Sequence, residues 1–237
     1  MKRAIIIGGS SGIGKAIAEI LLDESYRVAI SGIERDDLSS LSNAYPTNLV
    51  VKYIDCSKEN CSIEINELVK TLGGLDLLVF SAGIGHLTKD IGYTIENEAN
   101  KVNVLGFTEV VDWAYRFFYK QGFGQLVSIS SIAGLFGYRM TPAYTAAKGY
   151  QINYLEALRQ KANRLKIPLY VTDVRPGFVD TELSKGLKRF WVATPEVAAK
   201  QIYVAIKKKK GIVYITRRWW LMAFIIHLIP DWLRSRL

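Results

Sequence analysis

A phenol and an ammonium stand four residues apart in Tyr144-Thr145-Ala146-Ala147-Lys148. On a helix that spacing puts both side chains on one face about one turn apart, so they reach the same ligand. A free tyrosine titrates near ~10 and is a poor base at neutral pH, whereas a fixed cation beside it favours the phenolate and lowers that value. Ser131 lies thirteen residues earlier, at the end of a predicted strand. A hydroxyl and a phenol together meet the needs of hydride addition to a carbonyl, in which negative charge builds on oxygen and must be met by placed donors and then by a proton. A nucleophilic role for Ser131 is disfavoured: His86 and His227 stand in contexts unlike a hydrolase triad, and the GxSxG elbow is absent. The adjacent Ser130 points to the other side of its strand.

Gly8-Gly9-Ser10-Ser11-Gly12-Ile13-Gly14 follows one predicted strand and opens a helix, the context in which a glycine turn binds a dinucleotide. Gly8 allows the tight turn, and Gly12 and Gly14 allow close approach of backbone to pyrophosphate and of helix to strand. The helix N-terminus adds N–H groups that face the anion. The glycines fall as GxxxGxG, a spacing that resembles the short-chain dehydrogenase/reductase family, and the likeness runs from residue 3 to about 181. Asp55-Cys56 resembles the family's Asp-Val pair, whose acid binds the adenine amino group. Ser81-Ala82-Gly83 resembles its Asn-Ala-Gly turn with Ser in place of Asn, and Pro176-Gly177-Phe178-Val179-Asp180-Thr181 is similar to the segment that holds the nicotinamide end. Taken singly, Asp55 and Pro176-Gly177 are ordinary strand-end turn residues; their order along the chain gives them weight.

The resemblance also implies roles. Ser131 donates to the substrate carbonyl, Tyr144 transfers the proton, and Lys148 holds the nicotinamide ribose and tunes Tyr144. Asn103, in Asn103-Val104-Leu105-Gly106, bends its helix and anchors a water linked to Lys148. The choice of cofactor rests on thinner ground. Gly32 occupies the place where an acid would meet the ribose 2′-hydroxyl, and Ile33 the commonest phosphate-binding Arg position. Arg35, Ser10 and Ser11 remain to meet a 2′-phosphate, so NADP(H) is favoured over NAD(H), although a lone Arg is usually only solvated. The cysteines form no zinc-binding pattern, and no metal is expected.

The elements that must position these groups are read from periodicity. Apolar runs near 3–8, 26–31, 49–54, 76–80, 124–130, 168–174 and 212–215 alternate with segments of helical period near 13–24, 59–72, 95–118, 142–166 and 195–208. Strands such as Ala4-Ile5-Ile6-Ile7 and Leu77-Leu78-Val79-Phe80 are apolar throughout, as they are when helices cover both faces. The expectation is an α/β fold, a doubly wound parallel β-sheet of Rossmann-like type with a ligand crevice at the carboxyl ends of its strands. No internal repeat or linker interrupts it, so residues 1–216 read as one catalytic domain and 217–237 as an apolar and basic helical tail.

With 237 residues, 49% of them apolar, the chain is long enough for one well-buried domain. Only Cys56 and Cys61 are present, and the apolar run after Met1-Lys2-Arg3 is too short for a secretory signal, so a reducing, cytoplasmic setting is expected. The net charge of +9 is local: residues 185–237 hold 12 of the 31 basic side chains and only Glu196 and Asp231 as acids. Within that stretch Trp219 to Pro230 is apolar but about half the ~20 residues that a spanning helix needs. Tryptophans beside cations suit a helix in a membrane interface, at the inner face of a bilayer; packing on the domain or on another subunit suits the same residues. Nucleic acid is disfavoured, because the aromatics form one block and are not interleaved through a basic groove.

Phe136, Tyr138 and Met140, with Leu187, Phe190 and Trp191 after Thr181, imply an apolar pocket, and Arg139 could receive an anionic group. The expected substrate is a lipid-like or polycyclic ketone or alcohol. The family commonly associates through helices corresponding to 95–118 and 142–166, which implies a dimer or tetramer. Two other classes use the same residues: a non-catalytic dinucleotide sensor, which would ordinarily show a broken Ser/Tyr/Lys set, and a membrane adaptor driven by the tail.

Overall fold

The computed structural model describes residues 1–87, 92–186, 189–230 and Trp232. Seven parallel strands form one sheet in the order β3-β2-β1-β4-β5-β6-β7. They are β1 (Arg3–Ile7), β2 (Arg27–Gly32), β3 (Leu49–Tyr53), β4 (Leu77–Phe80), β5 (Gly124–Ile129), β6 (Leu169–Pro176) and β7 (Ile212–Ile215). The continuous apolar runs have a physical reason in the pleat. On β1, Ala4 and Ile6 join a core with α1 (Gly12–Asp23), α2 (Arg35–Ala44) and α7 (Pro195–Lys207). Ile5 and Ile7 face the opposite core, built with α3 (Cys61–Leu72), α5 (Phe107–Gln121) and α6 (Pro142–Asn163). With apolar cores on both faces, every position of the strand must be apolar.

The chain lays down β1, β2 and β3 in one direction, then returns to the other side of β1 with β4. The reversal opens a crevice beyond the carboxyl ends of β1 and β4, where the glycine turn and the Ser81-Ala82-Gly83 turn lie.

Two elements differ from the sequence reading. Helix α2 went unread because it is mostly polar; only Leu38 and Leu41 are buried. The single helix expected over 95–118 is α4 (Tyr93–Asn100), a π-helical segment Lys101–Gly106 and then α5. Asn103, fully buried, sits in the π-helical segment, an irregularity frequent at functional sites. The tail forms α8 (Arg218–Leu228), whose Trp219 and Ala223 are buried with Ile132 in a small third core. Among the described residues no helix is long and apolar enough to cross a membrane.

Candidate active site

Pro142 begins α6, so Tyr144 stands in the first turn of that helix, where the positive end of the peptide dipoles favours a phenolate. Tyr144 is partly open to the crevice and Lys148 is buried one turn on, its Nζ 5.7 Å from the Tyr144 ring centre. Burial pushes the Tyr144 phenol above its ordinary value, and the Ser131 hydroxyl beside it pulls it back. The charge of Lys148 does not lower the phenol as the sequence alone implied; burial sets the direction, and burial brings Lys148 itself down to about 8. Ser131 ends the strand region in extended conformation and its Oγ accepts from Ala133 N at 3.1 Å, which fixes the rotamer. Ser130 faces the other way, donating to Asp173 Oδ1 at 2.5 Å and to the Val174 carbonyl at 3.1 Å.

Lys148 Nζ donates to the Ile129 carbonyl at 2.9 Å and to Gln151 Oε1 at 3.0 Å, and Gln151 Nε2 donates to the Asn103 carbonyl at 2.8 Å. Asn103 in turn clamps the loop after β4: its Oδ1 accepts from Ile84 N at 3.1 Å and its Nδ2 donates to the Ile84 carbonyl at 2.6 Å. A Cβ on Gly83 would lie 3.2 Å from Asn103 Oδ1 and 3.5 Å from Lys148 Nζ, and one on Gly85 would lie 2.8 Å from the Tyr144 ring. The bare backbone of residues 83–85 thus lies directly against the phenol and ammonium.

Three glycine-containing turns meet beside this group. Gly8 has φ +80°, and a Cβ there would come 2.5 Å from Ala82 N. Gly12 has φ +53°, and a Cβ there would meet Thr181 Cγ2 at 3.1 Å. A Cβ on Gly14 would strike the Gly8 carbonyl, so α1 packs straight onto the turn. The first turn of α1 carries no acid and Ser11, exposed at its N-cap, makes no side-chain cap, which leaves the N-terminal amides for an anion. Ile13 is the second residue of that first turn. At the end of β3, Asp55 Oδ1 accepts from Ser57 N at 2.9 Å and Ser57 Oγ at 2.7 Å, which outweighs burial and holds the carboxyl below its usual range. Cys56 and Cys61 are free and buried. These residues fit a dinucleotide laid along the carboxyl ends of β1, β3 and β4.

Comparison with known proteins reaches the same place. The model for the short-chain dehydrogenase family matches residues 2–190. The chain belongs to this family. A human 3-oxoacyl-[acyl-carrier-protein] reductase is 30% identical over 190 residues, 79% of this chain and 79% of its own length. An uncharacterised oxidoreductase of Staphylococcus aureus is also 30% identical, over 77% of this chain and 80% of that protein. Among solved structures, ElxO with NADP bound superposes with a TM-score of 0.77 at 25% identity, covering 90% of this chain and 96% of that one. A 3-ketoacyl-(acyl-carrier-protein) reductase of Brucella melitensis complexed with NADH shares the fold, with a TM-score of 0.82 at 19% identity over 90% and 96% of the two chains. As a short-chain dehydrogenase the chain is an oxidoreductase that acts on an alcohol/carbonyl pair with a nicotinamide dinucleotide.

The substrate side of this dehydrogenase is less as the sequence implied. Phe136, Tyr138 and Arg139 line a groove of about 510 Å³ with Pro142, Thr145, Ala146 and Gly149, which contains none of Asn103, Ser131, Tyr144 or Lys148. Met140 is half-buried and does not line that groove. Leu187 lies outside the described residues. Phe190 and Trp191 pack edge-on to each other and against Trp219 of α8, with ring centres 5.1 to 5.7 Å apart. Over Tyr144 the nearer apolar group is Leu183, whose Cδ1 lies 3.4 Å from where a Gly85 Cβ would be. The Gly177 side-chain space is filled by the indole of Trp219, so this glycine also seats α8. Pro176 ends β6, and buried Val179 pairs with Ala193 across the loop that carries Thr181.

A buried charged pair on β6 was also missed. Asp173 and Arg175 on β6 form a buried ion pair at 2.6 Å, Arg175 also donates to Tyr214 Oη at 3.1 Å, and the charge of Asp173 reaches Lys148. Burial raises the Asp173 carboxyl despite Arg175 and Ser130, while Asp173 holds Lys148 higher than burial alone would leave it. An acid and a base two apart in an otherwise apolar strand share a face and must pair, a signal present in the sequence.

Proposed function

We propose that this dehydrogenase interconverts an apolar ketone and its secondary alcohol with NADP(H). The convergence of Ser131, Tyr144 and Lys148 beside the glycine cradle carries the reading. A bound nicotinamide supplies or accepts the hydride. Ser131 donates to the carbonyl oxygen and holds it beside Tyr144. The phenol gives its proton to that oxygen in reduction and takes it back in oxidation. Lys148 keeps a positive charge against the phenol and holds the ribose. Gly8, Ser11, Gly12, Ile13 and Gly14 hold the pyrophosphate, Asp55 and Cys56 the adenine side, Ser81, Ala82 and Gly83 the floor, and Pro176, Gly177, Val179 and Thr181 the nicotinamide end. Leu183, Phe190 and Trp191 shut water from the substrate. Cofactor oxidation across a panel of apolar ketones tests the reading. Binding of NADPH with no oxidation across that panel would instead mark a dinucleotide sensor.

Arg35 supports NADP(H): its guanidinium lies 4.4 Å from the Tyr53 ring centre, at the carboxyl ends of β2 and β3. One observation favours NAD(H) instead, the bond from Ser10 Oγ to Glu34 Oε2 at 2.7 Å, which occupies Ser10 and brings a carboxylate toward Gly32. Loss of a charge-assisted bond to phosphate costs about 1.5 kcal/mol or more. Arg35→Ala should therefore raise KM for NADPH about tenfold and leave KM for NADH within about twofold. Equal changes in both would remove Arg35 as the partner of a 2′-phosphate.

We also propose that α8 rests on an anionic lipid surface. Trp220, Leu221, Phe224, Ile225 and Leu228 are all exposed, so the helix is apolar on its outer as well as its inner face. Residues 216–230 contain no acid, and among the described residues no carboxylate pairs with Arg217 or Arg218. Apolar burial plus cation attraction of about 1 kcal/mol per residue drives such contacts. The wild type should float with vesicles containing phosphatidylglycerol, and Trp220→Asp/Phe224→Asp, which leaves Trp219 in place, should not. Equal behaviour of the two proteins, or loss of a dimer in the variant, would refute the lipid contact. Association of subunits through α5 and α6 is supported by exposed Leu105 at the foot of α5 and by Tyr119 and Tyr150 on those helices. Buried free thiols suit a reducing cytoplasm.

A further inference from the structure

Between Asn103 and Lys148, where the family resemblance implies a water, a side chain bridges the two. Gln151 is fully buried on α6, three residues after Lys148 and therefore on the same side of the helix. Its carbonyl oxygen accepts from Lys148 Nζ at 3.0 Å and its amide nitrogen donates to the Asn103 carbonyl at 2.8 Å. An ammonium has three N–H donors. One goes to Gln151 and one to the Ile129 carbonyl, which leaves a single N–H for the crevice. The Asn103 carbonyl that accepts from Gln151 lies in the π-helical segment Lys101–Gly106, and a carbonyl oxygen has two lone pairs to offer.

We propose that Gln151 is a positioning residue of this enzyme, tying the Lys148 ammonium to the π-helical segment and holding it in its charged form. The inference rests on the catalytic reading above for its consequence, but not for its test. An amide can orient a cation and favour its charge by accepting from it, but unlike a water it does not readily pass a proton on. The Lys148 charge is thereby held in place.

The surroundings of Lys148 hold few other charges. From β6, the charge of Asp173, itself bound by Arg175 and Ser130, reaches it; from its own helix comes Tyr144. From β5 and the π-helical segment come only the Ile129 carbonyl and, by way of Gln151, that of Asn103, which do not titrate. A change at residue 151 therefore acts on Lys148 with little competition.

Two variants of nearly unchanged volume separate the proposal from mere packing. Gln151→Met removes the acceptor, and Gln151→Glu puts a carboxylate beside the ammonium. The lysine side-chain nitrogen of the free protein, labelled with nitrogen-15 and assigned by its loss in Lys148→Arg, reports the titration without any turnover. The wild-type midpoint should lie near the value of about 8 to which burial brings it. The Met variant should titrate about one unit lower and the Glu variant about one unit higher. The high-pH limb of kcat for ketone reduction should move in the same order. Identical midpoints in all three proteins, or a uniform fall in kcat with an unmoved limb, would overturn the proposal. Should the Met variant fail to fold, wild type against Glu decides alone.

Discussion

Tyr144→Phe will reduce kcat for ketone reduction by about 10³-fold while the protein still binds its dinucleotide. The magnitude is that of a positioned general acid. The ring that remains keeps its packing against Gly85 and beneath the Lys148 ammonium, so only the proton is removed from the site. Fluorescence titration with NADPH should give an unchanged Kd. Single-turnover mixing of enzyme, NADPH and ketone would then locate the loss in the chemical step. A variant retaining more than about a tenth of wild-type turnover would mean that another group delivers the proton, and the roles given to Ser131 and Lys148 would go with it.

The acid in question is difficult to ionise. Burial raises the phenol, and the ammonium that should lower it is itself brought down to about 8. The two effects have one origin, the withdrawal of both groups from water. Reduction suits this arrangement, because a protonated phenol is the form required at the start of that direction. Oxidation needs the phenolate, and the added positive charge of an oxidised nicotinamide would then help to form it.

How much of this was legible in the chain depends on whether a residue's signal was local. The glycine turn was readable because the strand before it and the helix after it are both strongly periodic. Tyr144 and Lys148 were readable because a separation of four means the same face on any helix. Ser131 could be told from Ser130 because a strand sends neighbours to opposite sides, and Ser130 does bind Asp173 behind it. Helix α2 was missed because two buried leucines among ten residues make almost no periodic signal. Gln151 was invisible for a different reason. Its meaning depends on the carbonyl of residue 103, 48 positions away, in a π-helical segment that no period reports. Whether Phe136, Tyr138 and Arg139 face the substrate was not legible, because a position in the chain after Ser131 does not say on which side of α6 a side chain falls. The basic tail likewise merged two clusters: Lys207 to Lys210 precede β7 and Arg217-Arg218 follow it, so the strand holds them at opposite ends.

Lys148 makes the energetic cost of this site measurable. Its ammonium titrates near 8 in the folded protein against an ordinary value of 10.5, with burial as the main cause and Asp173 partly opposing it. Between those two values the unfolded chain binds the proton more tightly than the folded one, so the free energy of unfolding rises with pH across that window. From pH 7 to 9.5 the wild type should gain about 2 kcal/mol from this group alone. Lys148→Met lacks the group and therefore lacks the gain. It also leaves the Ile129 carbonyl and Gln151 Oε1 without their donor, a cost of about 1 to 3 kcal/mol each that does not vary with pH and so cancels from the comparison. Guanidinium unfolding of both proteins at pH 7 and at pH 9.5 isolates the difference, and the variant should show almost no turnover at either. Parallel stability curves would mean that the ammonium is well solvated after all. In that case its charge at neutral pH would be complete, and the proposed balance between a raised phenol and a lowered ammonium would fail.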